Sequence, residues 1–287
     1  GLPDNNIHAI TVDSQNTLWV GTWKNGVGYS KDWRNFRPFT ELGNFKVNDF
    51  EEFDGRIYVA SRKGVFSFHT NEPIGSLEKY DLGIMNIMNL LRDSENNLWI
   101  GTLKNGLAVT NLDADPDLEE VKFYKKSEKH PEGLQSNRIS ALAEDANGSI
   151  WVGTYNGLYS FNRASNSFKR HDITELSLPS VIILSIYPDD RGKLWIGVPG
   201  GLVELTNDSG KLKQLKVYDS ESGLFNDYVV AITSDREDNV WLSSAGGISK
   251  LDRENGIITN YSVQDGLGIG SFNINALLKY NDTLFFG

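Results

Sequence analysis

The feature that most constrains this chain is an internal repeat. Tryptophan recurs five times in a short motif whose strongest copies read Trp-Val/Ile-Gly-Thr. An aspartate lies six residues before each of these tryptophans, and an isoleucine or valine lies six residues before each aspartate. The five sets are Ile7, Asp13 and Trp19; Ile87, Asp93 and Trp99; Ile139, Asp145 and Trp151; Ile183, Asp189 and Trp195; and Val229, Asp235 and Trp241. Five matches at two fixed spacings indicate one structural unit copied along the chain.

Two weaker copies extend the series to seven. Tyr58 replaces the tryptophan in the second copy, and Phe285 replaces it in the last. The central aromatics recur about every 45 residues, which is the period of a four-stranded propeller blade. The sequence therefore predicts an all-β, seven-bladed β-propeller with four-stranded antiparallel blades. Because the last copy stops at Gly287 after its second strand, we expect an incomplete last blade in a fragment of a longer polypeptide.

The repeat also predicts the blade boundaries within a single propeller domain, residues 1–287. Asn6–Val12 is typical of a first strand, and Leu98–Thr102 of a second strand. A glycine such as Gly106 begins each third strand, and outer aromatics such as Phe123 mark the fourth. The predicted blades are residues 1–40, 41–80, 81–126, 127–172, 173–219, 220–262 and, in part, 263–287.

The repeated residues have structural duties that chemistry explains without any function. The large apolar area of tryptophan suits the space between neighbouring blades. The glycine after it permits a close approach where a side chain would clash. The aspartate can accept hydrogen bonds from backbone N–H groups of its own turn. We therefore expect the repeated aspartates and tryptophans to be structural.

Composition excludes several classes of protein. Lys and Arg total 28 against 38 Asp and Glu, and a net charge of −10 argues against binding nucleic acid or an anionic lipid surface. The absence of cysteine removes disulfides, thiolate-bound zinc and thiol nucleophiles. No apolar run approaches the roughly 20 residues that a membrane helix needs.

No catalytic or metal-binding pattern stands out. The histidines form no known zinc motif; they are His8, His69, His130 and His171. Paired acids such as Asp189 and Asp190 are typical of solvated turns, and no Gly-x-Ser-x-Gly nucleophile motif occurs. The sequence predicts no catalytic residue, no metal and no cofactor.

Propeller geometry does predict a candidate binding face. Turns between second and third strands lie on the same face as the connections between blades. That face would collect aromatic rings, amides and cations, which suit a sugar and particularly an acidic one. Trp23 is the strongest candidate because it lies outside the packing motif. The predicted ligand-binding residues are Trp23, Lys24, Asn25, Arg62, Lys63, Lys104, Asn105, Arg138, Tyr155, Asn156 and Tyr228.

The repeat resembles the two-component regulator propeller repeat. The run from Gly133 to Ile139, followed by Asp145, Trp151 and Gly157-Leu158, carries this resemblance, which extends over nearly the whole chain. Similar proteins form extracytoplasmic sensor regions of bacterial membrane receptors, including hybrid histidine kinases and some diguanylate cyclases, and several sense oligosaccharides. The resemblance implies a periplasmic, non-enzymatic sensor domain with an oligosaccharide ligand. It also implies a homodimer formed through the parent receptor, and membrane contact only through parts of the parent outside this chain.

Two alternatives remain open. The propeller could serve as a protein-interaction or dimerisation scaffold without binding a small molecule. Less favoured is an enzyme similar to the streptogramin lyases, which are single seven-bladed propellers that use histidine, glutamate and magnesium. The histidines of this chain show no recurrent relation to one another, which argues against the lyase.

Overall fold

A computed structural model describes residues 1–115, 117–129, 133–208, 211–268 and 272–287. Apart from two 3₁₀ turns, Thr40–Leu42 and Val263–Asp265, its regular elements are strands in antiparallel sheets. Blade 1 contains β1 (Ile7–Val12), β2 (Leu18–Thr22), β3 (Val27–Ser30) and β4 (Arg37–Phe39); blade 2 contains β5 (Val47–Phe53), β6 (Arg56–Ser61), β7 (Gly64–His69) and β8 (Glu78–Tyr80); blade 3 contains β9 (Ile87–Arg92), β10 (Asn97–Thr102), β11 (Leu107–Asn111) and β12 (Lys122–Tyr124). Blade 4 contains β13 (Ile139–Glu144), β14 (Ile150–Thr154), β15 (Gly157–Asn162) and β16 (Ser167–His171); blade 5 contains β17 (Ser185–Pro188), β18 (Lys193–Val198), β19 (Gly201–Asp208) and β20 (Lys211–Tyr218); blade 6 contains β21 (Val229–Ser234), β22 (Val240–Ser244), β23 (Ile248–Asp252) and β24 (Ile257–Tyr261).

The prediction of a β-propeller with four-stranded antiparallel blades is confirmed. The described residues form six such blades, and the seventh copy of the repeat forms a two-stranded sheet of β25 (Leu277–Tyr280) and β26 (Thr283–Phe286). The strands fall into two compact units, residues 1–125 with 137–139 and 287, and residues 126–136 with 140–286. In the first unit the first strands β1, β5 and β9 lie side by side, and in the second β17, β21 and β25 do so.

Each motif aspartate closes its hairpin and also holds its tryptophan. In blade 1, Asp13 Oδ1 accepts the backbone N–H groups of Gln15 and Thr17 at 3.0 and 2.8 Å. Its other oxygen, Oδ2, accepts the indole N–H of Trp19 at 2.8 Å. The equivalent carboxylate–indole distances are 2.7 Å for Asp93–Trp99, 2.8 Å for Asp145–Trp151, 2.9 Å for Asp189–Trp195 and 2.7 Å for Asp235–Trp241. The indole bond, which sequence reasoning missed, gives a physical reason for the fixed spacing of six residues.

The same motif joins neighbouring blades. Trp19 is 1% exposed, and its ring lies 4.8 Å from that of Phe68 in blade 2, centroid to centroid. A Cβ on Gly21 would lie 2.6 Å from Cγ1 of Val47, the first residue of β5. Glycine is therefore required at this position because the β-branched residue of the next blade packs directly against its backbone.

Candidate ligand-binding face

The turns between second and third strands share one construction in blades 1, 2, 3, 4 and 6, whereas blade 5 has Val198 in place of the serine or threonine. In blade 1 the Thr22 hydroxyl donates to the carbonyl of Gly26 at 2.9 Å. Gly26 has φ +69°, and a Cβ there would lie 2.3 Å from the carbonyl oxygen of Gly43. The equivalent hydroxyl–carbonyl bonds are Ser61–Gly64 at 2.7 Å, Thr102–Gly106 at 2.8 Å, Thr154–Gly157 at 2.9 Å and Ser244–Gly247 at 3.1 Å. The repeat thus fixes the position of each turn whatever its exposed side chains are.

These turns bond to the segments that lead into the first strands. In the first unit, the backbone N–H of Trp23 donates to the Asn6 carbonyl at 3.0 Å, and the backbone N–H of Arg62 donates to the Lys46 carbonyl at 3.0 Å. Asn86 then links blades 2 and 3, because its backbone N–H donates to the Arg62 carbonyl at 2.9 Å and its carbonyl accepts from the backbone N–H of Leu103 at 3.0 Å. Lys46, in the lead-in segment of blade 2, lies over the Trp23 ring in the turn of blade 1. Turns and lead-in segments of blades 1–3 therefore form one continuous surface, which is called the lead-in face below.

Most of the predicted site residues in the first unit border this face. Lys24 N–H donates to Asp4 Oδ2 at 3.3 Å, and the Asn25 amide donates to the Pro3 carbonyl at 2.7 Å. Lys63 Nζ lies 4.9 Å from the centroid of the Phe45 ring. Arg62 and Lys104 are exposed in their turns.

Asn105 and Arg138 lie at the blade 3 end of the first unit. The backbone N–H of Asn105 donates to Thr102 Oγ1 at 2.8 Å. Arg138 is exposed and follows Asn137, whose carbonyl accepts from Gly106 N–H at 2.9 Å.

Three predicted residues belong to the second unit. Tyr155 is half-buried, and the Asn156 amide donates to the Gln135 carbonyl at 3.4 Å. Tyr228 is 40% exposed and forms a β-bridge with Pro199. Ligand binding by any of the predicted residues stays a prediction.

Trp23 has packing partners that sequence reasoning did not anticipate. Its ring lies 5.0 Å from the His8 ring at an interplanar angle of 33°, and Lys46 Nζ lies 4.3 Å from its centroid. The indole nevertheless remains 43% exposed. Trp23, His8 and Lys46 are called the Trp23 cluster below. Neither His8 nor Lys46 was predicted, since one lies in a first strand and the other in a lead-in segment.

A β-bulge places His8 in this cluster. The pairing of β1 with β2 shifts between Ile7 and Ala9, so His8 is the extra residue. Bulges of this kind re-aim a side chain. At the equivalent positions, the Asn48 amide donates to the Ile87 carbonyl at 2.6 Å, and the Ser140 hydroxyl donates to the Ile183 carbonyl at 2.5 Å. His8 is only 9% exposed, yet its Nε2 atom has no hydrogen-bond partner among the residues that the structure describes.

Burial shapes the charges of the cluster. Burial, and secondarily the charge of Lys46, lowers the pKa of His8 to about 4, although Asp4 acts in the opposite direction. Burial also lowers the pKa of Lys46 to about 8. Within the part of the chain that the structure describes, the Lys46 ammonium forms no ion pair and no hydrogen bond. The cluster at neutral pH is therefore a neutral imidazole and an unpaired cation beside an exposed indole.

A polar cavity of about 670 Å³ lies at the opposite ends of blades 1–3, beside the turns between first and second strands. Its polar groups bond to one another: Glu52 accepts from Ser14 N–H at 2.9 Å, and Asp113 accepts from the Asn96 amide at 2.9 Å. Arg92 in turn donates to Asn96 at 3.0 Å. Because these groups already have partners, the cavity offers a ligand fewer unsatisfied contacts than the Trp23 cluster does.

Blade 2 carries two half-buried carboxyl groups on its first strand. Asp49 accepts from the backbone N–H of Leu90 at 2.9 Å, and burial raises its pKa to about 7. Burial, with repulsion from Asp49, also raises the pKa of Glu51 to about 7, against the opposing effect of Arg92. Among the described residues, no group of three His, Asp or Glu side chains is arranged to hold a metal ion. None of the helical segments in that part of the chain is long and apolar enough to cross a membrane.

Fold and motif together define a propeller built from sequence repeats. The family model of the two component regulator propeller matches residues 1–24, 81–104, 133–156 and 177–200. Each match runs from a lead-in segment through the Asp and Trp of the motif into the following turn. These repeats belong to the two-component regulator propeller family, which confirms the resemblance. No curated protein matches the sequence.

Solved structures share the fold at low sequence identity. The extracellular domain of a protein described as a hybrid two-component system of B. thetaiotaomicron matches with a TM-score of 0.83 and 22% identity, over 99% of this chain and 38% of that chain. The extracellular domain of a one-component system of the same organism matches at 0.81 and 18%, over 100% and 38%. Virginiamycin B lyase of Staphylococcus aureus matches at 0.74 and 15%, over 99% and 93%. At these identities the likeness shows the fold alone, and this chain spans well under half of the two extracellular domains.

Proposed function

We propose that this chain is the extracytoplasmic sensor propeller of a bacterial signal-transduction receptor of the two-component type, and that it responds to an oligosaccharide. The family of its repeats supports a signalling role, as do the two extracellular domains that share its fold. The propeller lies in the periplasm, begins a seventh blade with β25 and β26, and has no catalytic role. Output and membrane-spanning segments belong to the parent receptor.

The single observation that carries the ligand proposal is the Trp23 cluster on the lead-in face. Sugars bind to aromatic rings through their apolar C–H surface and to amides and charges through their hydroxyls. The cluster offers an indole that is 43% exposed, and Asn25 and Lys24 follow it in the same turn. The lead-in face supplies further donors from Arg62 and Lys63, both exposed.

Signalling would work by a shift between receptor arrangements. The parent receptor pairs as a homodimer, and the ligand stabilises one of two arrangements of the pair. The response then depends on the difference in ligand affinity between the two arrangements.

Thermal unfolding in the presence of neutral and acidic oligosaccharides tests the proposal. A ligand at 100 times its Kd adds about 2.7 kcal/mol to the free energy of unfolding. For a domain of this size, that raises Tm by roughly 5–10 °C. We expect a selective rise with one class of saccharide.

Two tryptophan variants locate the effect. Trp23→Ala should abolish the rise in Tm. Trp33→Ala is the matched control, because the Trp33 indole donates to the Asn16 carbonyl at 2.9 Å, in the turn at the opposite end of blade 1. No rise with any saccharide, in a protein that unfolds cooperatively, would reject the sensor proposal in favour of an interaction or dimerisation scaffold.

A further inference from the structure

The Trp23 cluster also indicates which chemical group of a ligand it would bind. Resting on the proposed function, we propose that Lys46, His8 and Trp23 form a subsite for the anionic group, a carboxylate or a sulfate ester, of an acidic saccharide. Lys46 would provide the charge, the exposed indole would pack against the sugar ring, and His8 would bond a neighbouring hydroxyl.

Lys46 is a cation that has no counter-ion among the described residues. Its ammonium has three N–H donors and lies over the face of the Trp23 ring, 4.3 Å from the ring centroid. A partly buried charge without a hydrogen-bonded partner is costly, and an anion that accepts its N–H groups offsets that cost. The unpaired ammonium therefore has more to gain from an anionic group than from a neutral hydroxyl.

His8 adds an unsatisfied polar atom to the same place. The protein satisfies the equivalent position internally in blade 2, through Asn48, and in blade 4, through Ser140. In blade 1 the imidazole instead lies against Trp23, and its buried Nε2 has no hydrogen-bond partner in the described part of the chain. A sugar hydroxyl can both donate and accept, so it can pair with either tautomer of the neutral ring.

The surrounding charges favour an anion. Lys24, Arg62 and Lys63 are exposed on the lead-in face, although the whole chain has a net charge of −10. Asp4 is the acid that acts on His8, and its carboxylate already accepts the backbone N–H groups of Asn6 at 3.1 Å and Lys24 at 3.3 Å. The lead-in segments also carry the exposed acids Glu41 and Asp81, but the cations of the face outnumber its acids. The face therefore favours a ligand with a negative charge over one with a positive charge.

Isothermal titration calorimetry with matched saccharides tests the subsite. The probes are an oligogalacturonate and its neutral methyl ester, and a sulfated oligosaccharide and its desulfated form. We expect one acidic member to bind about tenfold or more tightly than its neutral partner, which is the value of a charge-assisted hydrogen bond. The pair that shows the preference distinguishes a carboxylate from a sulfate.

Lysine variants assign that preference to one side chain. Lys46→Met should remove the preference for the acidic saccharide and leave the affinity for the neutral one within about twofold, and Lys46→Arg should restore most of it. Lys31→Met is the matched control, because Lys31 is exposed at the opposite end of β3. His8→Phe should weaken both members of the pair alike.

A pH series on the unaltered protein gives a second readout that needs no variant. The pKa of Lys46 is lowered to about 8, and a bound anion raises it. Affinity for the acidic saccharide should therefore be level between about pH 6 and 7, fall to about half near pH 8 and fall steeply at higher pH. Equal affinity for both members of each pair, or an equal loss of both in Lys46→Met, would overturn the subsite while leaving oligosaccharide sensing in place. Binding of no saccharide at all would reject the sensor proposal and the subsite together.

Discussion

Two histidine–tryptophan pairs, one in each unit, have nearly the same geometry and opposite surroundings. The His8 and Trp23 rings lie 5.0 Å apart at 33°, and the His171 and Trp151 rings lie 5.2 Å apart at 37°. Both histidines are buried. Trp151 is 2% exposed and donates to Asp145, and His171 Nε2 lies 2.9 Å from the Ser160 hydroxyl. Trp23 is 43% exposed, and no described residue forms a hydrogen bond with His8 Nε2.

The comparison teaches that residue type and ring contact do not decide a role. What differs is whether the polar atoms are satisfied inside the protein. The pair in blade 4 is buried and hydrogen-bonded within the protein, so we expect it to contribute to stability. Among the described residues, the pair in blade 1 has a partly exposed indole and an imidazole nitrogen without a hydrogen-bond partner, beside an ammonium without an ion pair.

The two pairs should differ most in the free energy of unfolding that is lost when their tryptophans are replaced by alanine. Trp151→Ala should lower the free energy of unfolding by about 3–5 kcal/mol, because it opens a cavity among buried residues that include Ile183 and Leu194. Trp23→Ala should lower it by about 1 kcal/mol or less, because its site is open to solvent. Equilibrium unfolding in urea measures both values. Similar losses in the two variants would contradict the assigned roles.

Acid should destabilise the protein through both histidines. Burial lowers the pKa of His8 and of His171 to about 4 from an ordinary value of 6.5, with Lys46 and Lys169 as the secondary causes. Between those pH values the unfolded chain binds a proton that the folded chain does not. Stability contributed by each neutral histidine is therefore complete above pH 6.5 and is lost as the pH falls towards 4.

Histidine variants measured by urea unfolding at several pH values check this slope. His171→Phe and His8→Phe should each flatten it between pH 6.5 and 4, relative to the unaltered chain. Comparison between variants is needed because Asp49 and Glu51, with pKa values raised to about 7, give a slope of the opposite sign. An unchanged slope in His171→Phe would show that the pKa of His171 is the same in the folded and the unfolded chain.

The smallest expected effect comes from a variant that makes the His171–Trp151 pair resemble the His8–Trp23 pair. Ser160→Ala removes the hydroxyl beside His171 and leaves Nε2 buried without a partner, as it is in His8. The free energy of unfolding should fall by about 1–2 kcal/mol. Ser165→Ala, at an exposed serine of the same blade, should change it by less than about 0.5 kcal/mol. Equal effects in urea unfolding would mean that the hydroxyl bond does not distinguish the two pairs.

Much of the fold could be predicted from the sequence. The spacing of Asp93 and Trp99, repeated elsewhere, was enough to predict the blades and their strand order, because a repeated unit must bury the same faces each time. The glycine that begins each third strand or directly precedes it was likewise predictable. The carboxylate–indole bond was not predicted, although its signal, an aspartate always six residues before a tryptophan, was present.

The candidate site was only partly predictable. Trp23 could be found because it is a tryptophan outside the motif. Lys46 could not be found, because its ammonium reaches the Trp23 ring only when the lead-in segment of blade 2 lies beside the turn of blade 1. His8 could not be found either, because its orientation depends on a bulge whose register no single strand reveals.

The sequence by itself determined the repeat, the β class and the four-stranded blades, because hydrophobic spacing and turn chemistry are local properties that each copy expresses alone. Tertiary structure decided which polar atoms keep a partner. The side chains of Asn48 and Ser140 donate to carbonyl groups of the next blade, whereas His8 packs against Trp23 and lies near the charge of Lys46. That outcome depends on contacts between segments about 40 residues apart, where burial raises the cost of an unpaired polar group and the local geometry decides whether it is paired.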